Sequence, residues 1–378
     1  TDTRYAHKQK LTADGNAFAW QAAGAPAAVR DGLNAQPRAG ALTNLFGVSV
    51  NQTLGRLSYS WQSFSGSLAA CGGTATGQVG YAYRTIGLGQ DPNVGGKFPG
   101  CYDTAPTLVQ TALTTSPQGV GDNLLVQPAG DGTWVVKRFA LDAAGTYVSS
   151  GVLGVFPIRP DVVRSLPGDV LVGISRAHQK LLHLRLMTDA AQSEQVPEAT
   201  LASGPAFSPE GRDDNPALLL APVTMDVAPN DTLIVLEVDP SQPGAARTLR
   251  AFNPHGQPVA QFAGGTLHAV PLRAGSAITY LDMSIEHLGF IYVLSFVGDG
   301  HLAQDYVMDI YDPQGAFLAS TPGVVAANFA LDAWRNVYTL NYEAITAPAG
   351  DTEPSVSEWI PSTPSVTTKR LAGARGAA

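Results

Sequence analysis

One turn-and-strand pattern recurs along most of this chain, and it constrains the fold more than any other feature. Phe139–Val148 (FALDAAGTYV), Ala251–Val259 (AFNPHGQPV) and Ile310–Leu318 (IYDPQGAFL) share one shape. Each runs from an apolar strand end through Asp or Asn, two spacers and Gly into another apolar strand. Asp or Asn opens such a turn through its side chain, and Gly supplies the positive φ that closes it. Each segment therefore reads as a β-hairpin. The runs Leu124–Gln127 (LLVQ), Val170–Gly173 (VLVG), Leu233–Leu236 (LIVL), Ile291–Leu294 (IYVL) and Val337–Leu340 (VYTL) also recur. A polar loop and a second strand follow each, from Trp134–Phe139 (WVVKRF) to Ser355–Ile360 (SVSEWI). A degenerate unit, Leu57–Gln62 (LSYSWQ) and Gln78–Arg84 (QVGYAYR), precedes them.

The turns fall near residues 91, 142, 189, 253, 312 and 361, a spacing of about 54 residues. Four short strands fit in each unit, which is the pattern of propeller blades. The chain is expected to be all-β, a six-bladed β-propeller over residues 41–362. Pairing near residues 41–50 is expected to complete the last blade and remove exposed sheet edges. A two-sheet sandwich is the alternative, but it does not predict the same strand order six times. Composition agrees: Gly (40) and Pro (27) are abundant and charged residues are only 14%, which suits strands and turns rather than a helical bundle.

Three segments carry a family resemblance. Asn328–Leu340 (NFALDAWRNVYTL) resembles the core of an NHL-type propeller repeat, with an apolar strand ending in Asp, a turn, and a Val-Tyr-Val-like strand. Thr224–Leu236 is a second copy, and Tyr280–Leu294 a third with a longer turn. The resemblance implies the propeller fold and says little of activity, because one fold hosts unrelated functions. It also aligns Asp226, Asp282 and Asp332 at one repeat position. A ring of carboxylates could hold a cation there. The stronger reading is structural, each Asp accepting backbone N–H bonds in its own turn.

Residues 1–40 do not fit the repeat. They form an Ala- and Gly-rich N-terminal arm with Tyr5, Phe18 and Trp20 as scattered anchors, and residues 363–378 form a similar C-terminal tail. Neither buries much apolar area alone, so each needs a surface to lie on; packing on their own propeller is one reading, and the favoured expectation is that protein partners or further copies of the chain hold them. A net charge of −8 argues against nucleic acid as a partner. No apolar run reaches the length needed to span a bilayer.

The seven histidines form no closely spaced metal pair, and no nucleophile elbow, phosphate loop or haem motif occurs. No catalytic residue, metal ligand or cofactor is therefore assigned. Asp213-Asp214-Asn215 and Asp299-Gly300 are weak calcium candidates because they lack the alternating-ligand loop. The two cysteines, Cys71 and Cys101, share the degenerate first unit. A disulfide there would staple the thinnest core, stabilise by about 3–4 kcal/mol, and imply an oxidising compartment. An extracytoplasmic location, or a place in an extracellular particle, follows from it.

The expected function is a non-enzymatic interaction or structural module within a larger assembly. Two alternatives stand beside it. Some six-bladed propellers of similar look are metal-dependent lactonases or esterases with carboxylate and Asn ligands at the central channel. A carbohydrate- or ligand-binding propeller would instead line one face with Trp61, Trp134 and Trp334.

Overall fold

The computed structural model describes residues 20–24, 44–51, 56–64, 79–87, 107–111, 113–115, 122–129, 131–141, 147–188, 200–201, 219–239, 246–259, 262, 269–272, 278–298, 305–322, 328–331, 335, 337–346 and 352–361. Among the described residues there is no helix; every regular element is a strand. Strand β1 (Trp20–Gly24) comes first. It is followed by a first sheet of β2 (Asn44–Asn51), β3 (Arg56–Phe64) and β4 (Val79–Gly87). The second sheet holds β5 (Thr107–Thr111), β6 (Asp122–Pro128), β7 (Trp134–Leu141) and β8 (Tyr147–Phe156). The third holds β9 (Val162–Leu166), β10 (Val170–Ser175), β11 (Lys180–Arg185) and β12 (Thr200–Leu201). The fourth holds β13 (Ala221–Val227), β14 (Leu233–Asp239), β15 (Ala246–Phe252) and β16 (Ala269–Pro271). The fifth holds β17 (Ile278–Ile285), β18 (Ile291–Val297), β19 (Tyr306–Tyr311) and β20 (Phe317–Pro322). The sixth holds β21 (Phe329–Leu331), β22 (Val337–Thr346) and β23 (Thr352–Pro361), with β1 as its fourth strand.

All pairings are antiparallel between neighbours in sequence, apart from β1 with β23. The opening strands of successive sheets touch in order, β5 to β9, β13, β17, β21 and then β2. Sheets that meet through their first strands and fan outward form a β-propeller. The all-β propeller architecture expected from the repeat is thus the one observed. The closing strand differs from expectation. Residues 44–51 open the first sheet instead of completing the last, and Trp20–Gly24, placed in the arm by the sequence, pairs with β23 in the register Trp20 to Pro361.

Alternating side chains build the core between sheets. On β11, Leu182 and Leu184 pack against the second sheet, whereas Leu181 packs against the fourth. That is the period-two geometry of a strand buried on both faces. Each fully buried large apolar side chain contributes about 1.5–3 kcal/mol of transfer free energy.

The hairpins expected at Asn253 and Asp312 share one geometry. Asn253 Oδ1 accepts the N–H groups of His255 and Gln257, each at 2.9 Å. Asp312 Oδ1 accepts those of Gln314 (3.0 Å) and Ala316 (2.8 Å). Gly256 (φ 78) and Gly315 (φ 86) occupy the left-handed position that closes each turn. The matching turn at Asp142 lies outside the described residues.

Candidate functional site

A row of polar side chains runs across the first strands of the third to sixth sheets. Arg164 on β9 donates from Nε to Asp226 Oδ1 on β13 at 2.9 Å. The N–H of Val227 also donates to Oδ1, at 3.0 Å. Asp226 Oδ2 accepts the N–H of Ile285, in the fifth sheet, at 2.7 Å. Asp282 on β17 repeats the motif one sheet on. Its Oδ1 accepts the N–H of Met283 at 2.9 Å, and its Oδ2 accepts Asn328 Nδ2 (2.5 Å) and the N–H of Phe329 (3.2 Å) from the sixth sheet. Each carboxylate therefore ties its own strand to the next sheet's first strands. The sequence placed these aspartates in their own turns; the donors come from the following residue and from the neighbouring sheet.

The two ends of the row differ electrostatically. Arg164 is 36% exposed and Asp226 15% exposed at their side chains. Asp282 is buried, and burial pushes its carboxyl up to about 6 from the usual 3.8. The N–H groups of Phe329 and Met283 and the charge of Arg164 oppose that rise, while Asp226 adds to it. Arg164 Nη1 donates to the Val163 carbonyl at 3.1 Å. The row thus offers a half-exposed guanidinium beside one partly exposed carboxylate and one buried carboxyl.

The strand register corrects the alignment of the aspartates. Val227 pairs with Leu233 and Ile285 with Ile291, so these residues end equivalent strands. Asp226 adjoins Val227, whereas Asp282 lies three residues ahead of Ile285. The Tyr280–Leu294 turn is no longer than that of Thr224–Leu236, since 286–290 and 228–232 close in the same way. Matching Asp to Asp displaced one strand by two residues, a shift that preserves side-chain facing and so leaves no trace in the alternation.

Other predicted residues fall elsewhere. Trp20 lies in β1, while Tyr5, Phe18, Cys71, Cys101, Asp332, Asp213, Asp214 and Asp299 lie outside the described residues. Trp134 is buried with the Arg159 guanidinium 5.6 Å above its ring, so it belongs to a blade core. His183 is half-buried, and burial followed by nearby His255 holds it below the ordinary 6.5.

The sequence analysis missed Arg164 and Asn328. A signal for Arg164 existed: it is the one charged residue in the otherwise strand-like Val162–Leu166 (VVRSL). Also missed was a buried pair in the fourth sheet. Arg250 Nη1 donates to Glu237 Oε2 at 2.9 Å, and the N–H of Leu220 donates to Oε1 at 3.1 Å. Glu286, Tyr292 and Arg335 are buried together between the fifth and sixth sheets. Burial, then Glu286, hold the Tyr292 hydroxyl well above its ordinary value.

A cleft of about 250 Å³ opens between the fourth and fifth sheets. Ile234, Ile291, Phe262, Pro229, Pro313, Asn230 and Gln314 are among the residues that line it. None of its described lining residues is charged.

Calcium or zinc needs a convergent set of free oxygen or nitrogen donors. Asp226 and Asp282 direct their oxygens at N–H donors instead. Among the described residues, no three His, Cys, Asp or Glu side chains are grouped to hold a metal. The row does not fit a metal cage.

No protein-family model and no curated protein matches this sequence. Solved structures do. A calcium-binding protein, regucalcin, from Agrobacterium tumefaciens is 11% identical, with 84% of this chain and 89% of that one covered and a TM-score of 0.43. A periplasmic gluconolactonase from Pseudomonas aeruginosa is 14% identical, with 83% and 87% covered and a TM-score of 0.41. A luciferin-regenerating enzyme is 8% identical, with 90% and 95% covered and a TM-score of 0.44. The likeness is one of fold.

The expectation of a non-enzymatic module does not stand. That expectation rested on the absence of a recognisable catalytic motif. One fold hosts unrelated functions, so a missing motif does not mark a chain as inert. Among the described residues, no helix is long and apolar enough to cross a membrane.

Proposed function

We propose that this chain is a six-bladed, NHL-like propeller hydrolase acting on a small lactone or ester, with Arg164, Asp226 and Asp282 as its polar centre. The observation that carries the reading is the Arg164–Asp226 pair, partly exposed on first strands, backed by the buried Asp282 carboxyl. Two carboxyl groups in unlike environments are the usual arrangement for acid–base work. The raised affinity of Asp282 for its proton supports the same reading, since perturbed groups gather at functional sites.

The chemistry follows from the free positions. Asp226 Oδ2 accepts one backbone N–H and has a further lone pair for a water proton. The water oxygen adds to the substrate carbonyl carbon while Asp226 takes the proton. An Arg164 N–H not used by Asp226 or Val163 donates to the carbonyl oxygen as negative charge develops there. Collapse breaks the carbon–oxygen bond, and the leaving alkoxide takes the proton back from Asp226. Acid and alcohol are released, joined in one molecule when the substrate is a lactone.

The test is a pH-stat screen of the purified chain against γ- and δ-lactones and aryl esters, with and without added calcium. Turnover above the spontaneous rate on at least one class supports the reading. A folded chain that hydrolyses none of them refutes it. An extracytoplasmic location belongs to the same reading and is supported by the cysteine pair Cys71 and Cys101; a cytoplasmic fraction holding both as free thiols would contradict it.

A further inference from the structure

The cleft between the fourth and fifth sheets adjoins the polar row. Ala228, which lines it, lies two residues beyond Asp226, about 7 Å along the strand. Asp226 is fastened to the N–H of Ile285, and the hairpin that Ile285 begins supplies Leu288, Gly289 and Ile291 to the same cleft. The reacting centre and the cleft thus share two hairpins.

We propose that this cleft takes an uncharged apolar arm of the substrate, a short acyl chain or small ring, while the ester group lies at Arg164 and Asp226. This rests on the hydrolase reading and adds the substrate class. Three observations carry it. Among the described residues the lining holds no charged side chain, in a chain of net charge −8, so none of these would pair with an ionic group. Ile234, Ile291 and Phe262 in the lining are apolar, while the amides of Asn230 and Gln314 suit a neutral hydrogen-bonding group. The volume of about 250 Å³ is small, room for about eight water-sized groups, so the arm is short. Space beside Gly289 is limited as well: a Cβ there would come within 3.2 Å of Pro313.

Two measurements on the full chain test this. The first is kcat/KM along p-nitrophenyl esters from acetate to decanoate, for the wild type and for Gln314→Trp, whose indole would cover the cleft from an exposed turn. In the wild type, kcat/KM rises up to about fourfold for each added CH₂ and levels off at six to eight carbons. In Gln314→Trp the rise flattens. The second measurement needs no turnover: methyl NMR of Ile234 and Ile291 during titration with 1-hexanol, where both methyls shift and saturate. Turnover independent of chain length, or methyls that do not shift, overturns the cleft assignment and leaves the hydrolase reading standing. Saturating shifts in a chain that hydrolyses neither ester nor lactone keep a neutral-ligand site in the cleft and overturn the hydrolase reading.

Discussion

Replacing Asp282 by Asn removes the pH dependence that its buried carboxyl gives to folding. The group binds its proton with a pKa of about 6 in the folded chain against 3.8 in the open one. Between these values the folded state holds more protons than the unfolded state, so stability rises as pH falls. The gain is absent above pH 7 and complete below 3.8, where it reaches about 3 kcal/mol. Between pH 7.5 and 4.5 the linkage relation leaves about 2 kcal/mol. His183 acts in the opposite sense, since a lowered pKa removes stability as pH falls below 6.5. The comparison must therefore be between wild type and variant at each pH. The assay is urea denaturation at both pH values, followed by tryptophan fluorescence. The wild type should gain about 2 kcal/mol more than Asp282→Asn on acidification. Equal pH dependence in two folded proteins would refute the claim that burial dominates the carboxyl's environment.

Further outcomes are expected elsewhere in the chain. Arg250→Met leaves Glu237 buried without its cation and costs about 3–5 kcal/mol in denaturant unfolding. Adding Glu237→Gln to it recovers much of the loss. Gly315→Ala, at φ 86, lowers stability by about 1 kcal/mol or more, because only glycine adopts that conformation without strain. Deleting residues 1–24 removes β1 and bares the edge of β23, so thermal stability falls and association through that edge increases. Thiol titration after non-reducing denaturation should find no free thiol, as a Cys71–Cys101 disulfide requires.

The hairpins were legible because their chemistry is local. Asn253 and Asp312 each bond to N–H groups two and four residues on, and the glycine that closes the turn stands beside them in the sequence. The repeat of such hairpins led to the propeller. The sheet-to-sheet ties were not legible. Asp226 takes its donors from Arg164 and Ile285, 62 and 59 residues away, and no spacing rule links them. The closing strand was missed because Trp20–Gly24 (WQAAG) has little β-propensity of its own and is a strand only through β23. Turn equivalence hid a further residue. Asp231 (φ 64), Gly289 (φ 89) and Arg335 (φ 65) fill the same left-handed position, but only one of the three is glycine. A rule that requires Gly recognises only one of these three turns.

The central claim is that Asp226 moves the proton during ester or lactone cleavage. The most direct measurement is kcat for wild type and Asp226→Asn on the best substrate, with matched circular dichroism to show that both are folded. Asparagine can keep one acceptor toward Ile285 but takes no proton from water. The account predicts a fall of about 10²–10⁴-fold in kcat, the usual range for a general base. A folded Asp226→Asn protein with kcat within a fewfold of wild type would contradict it.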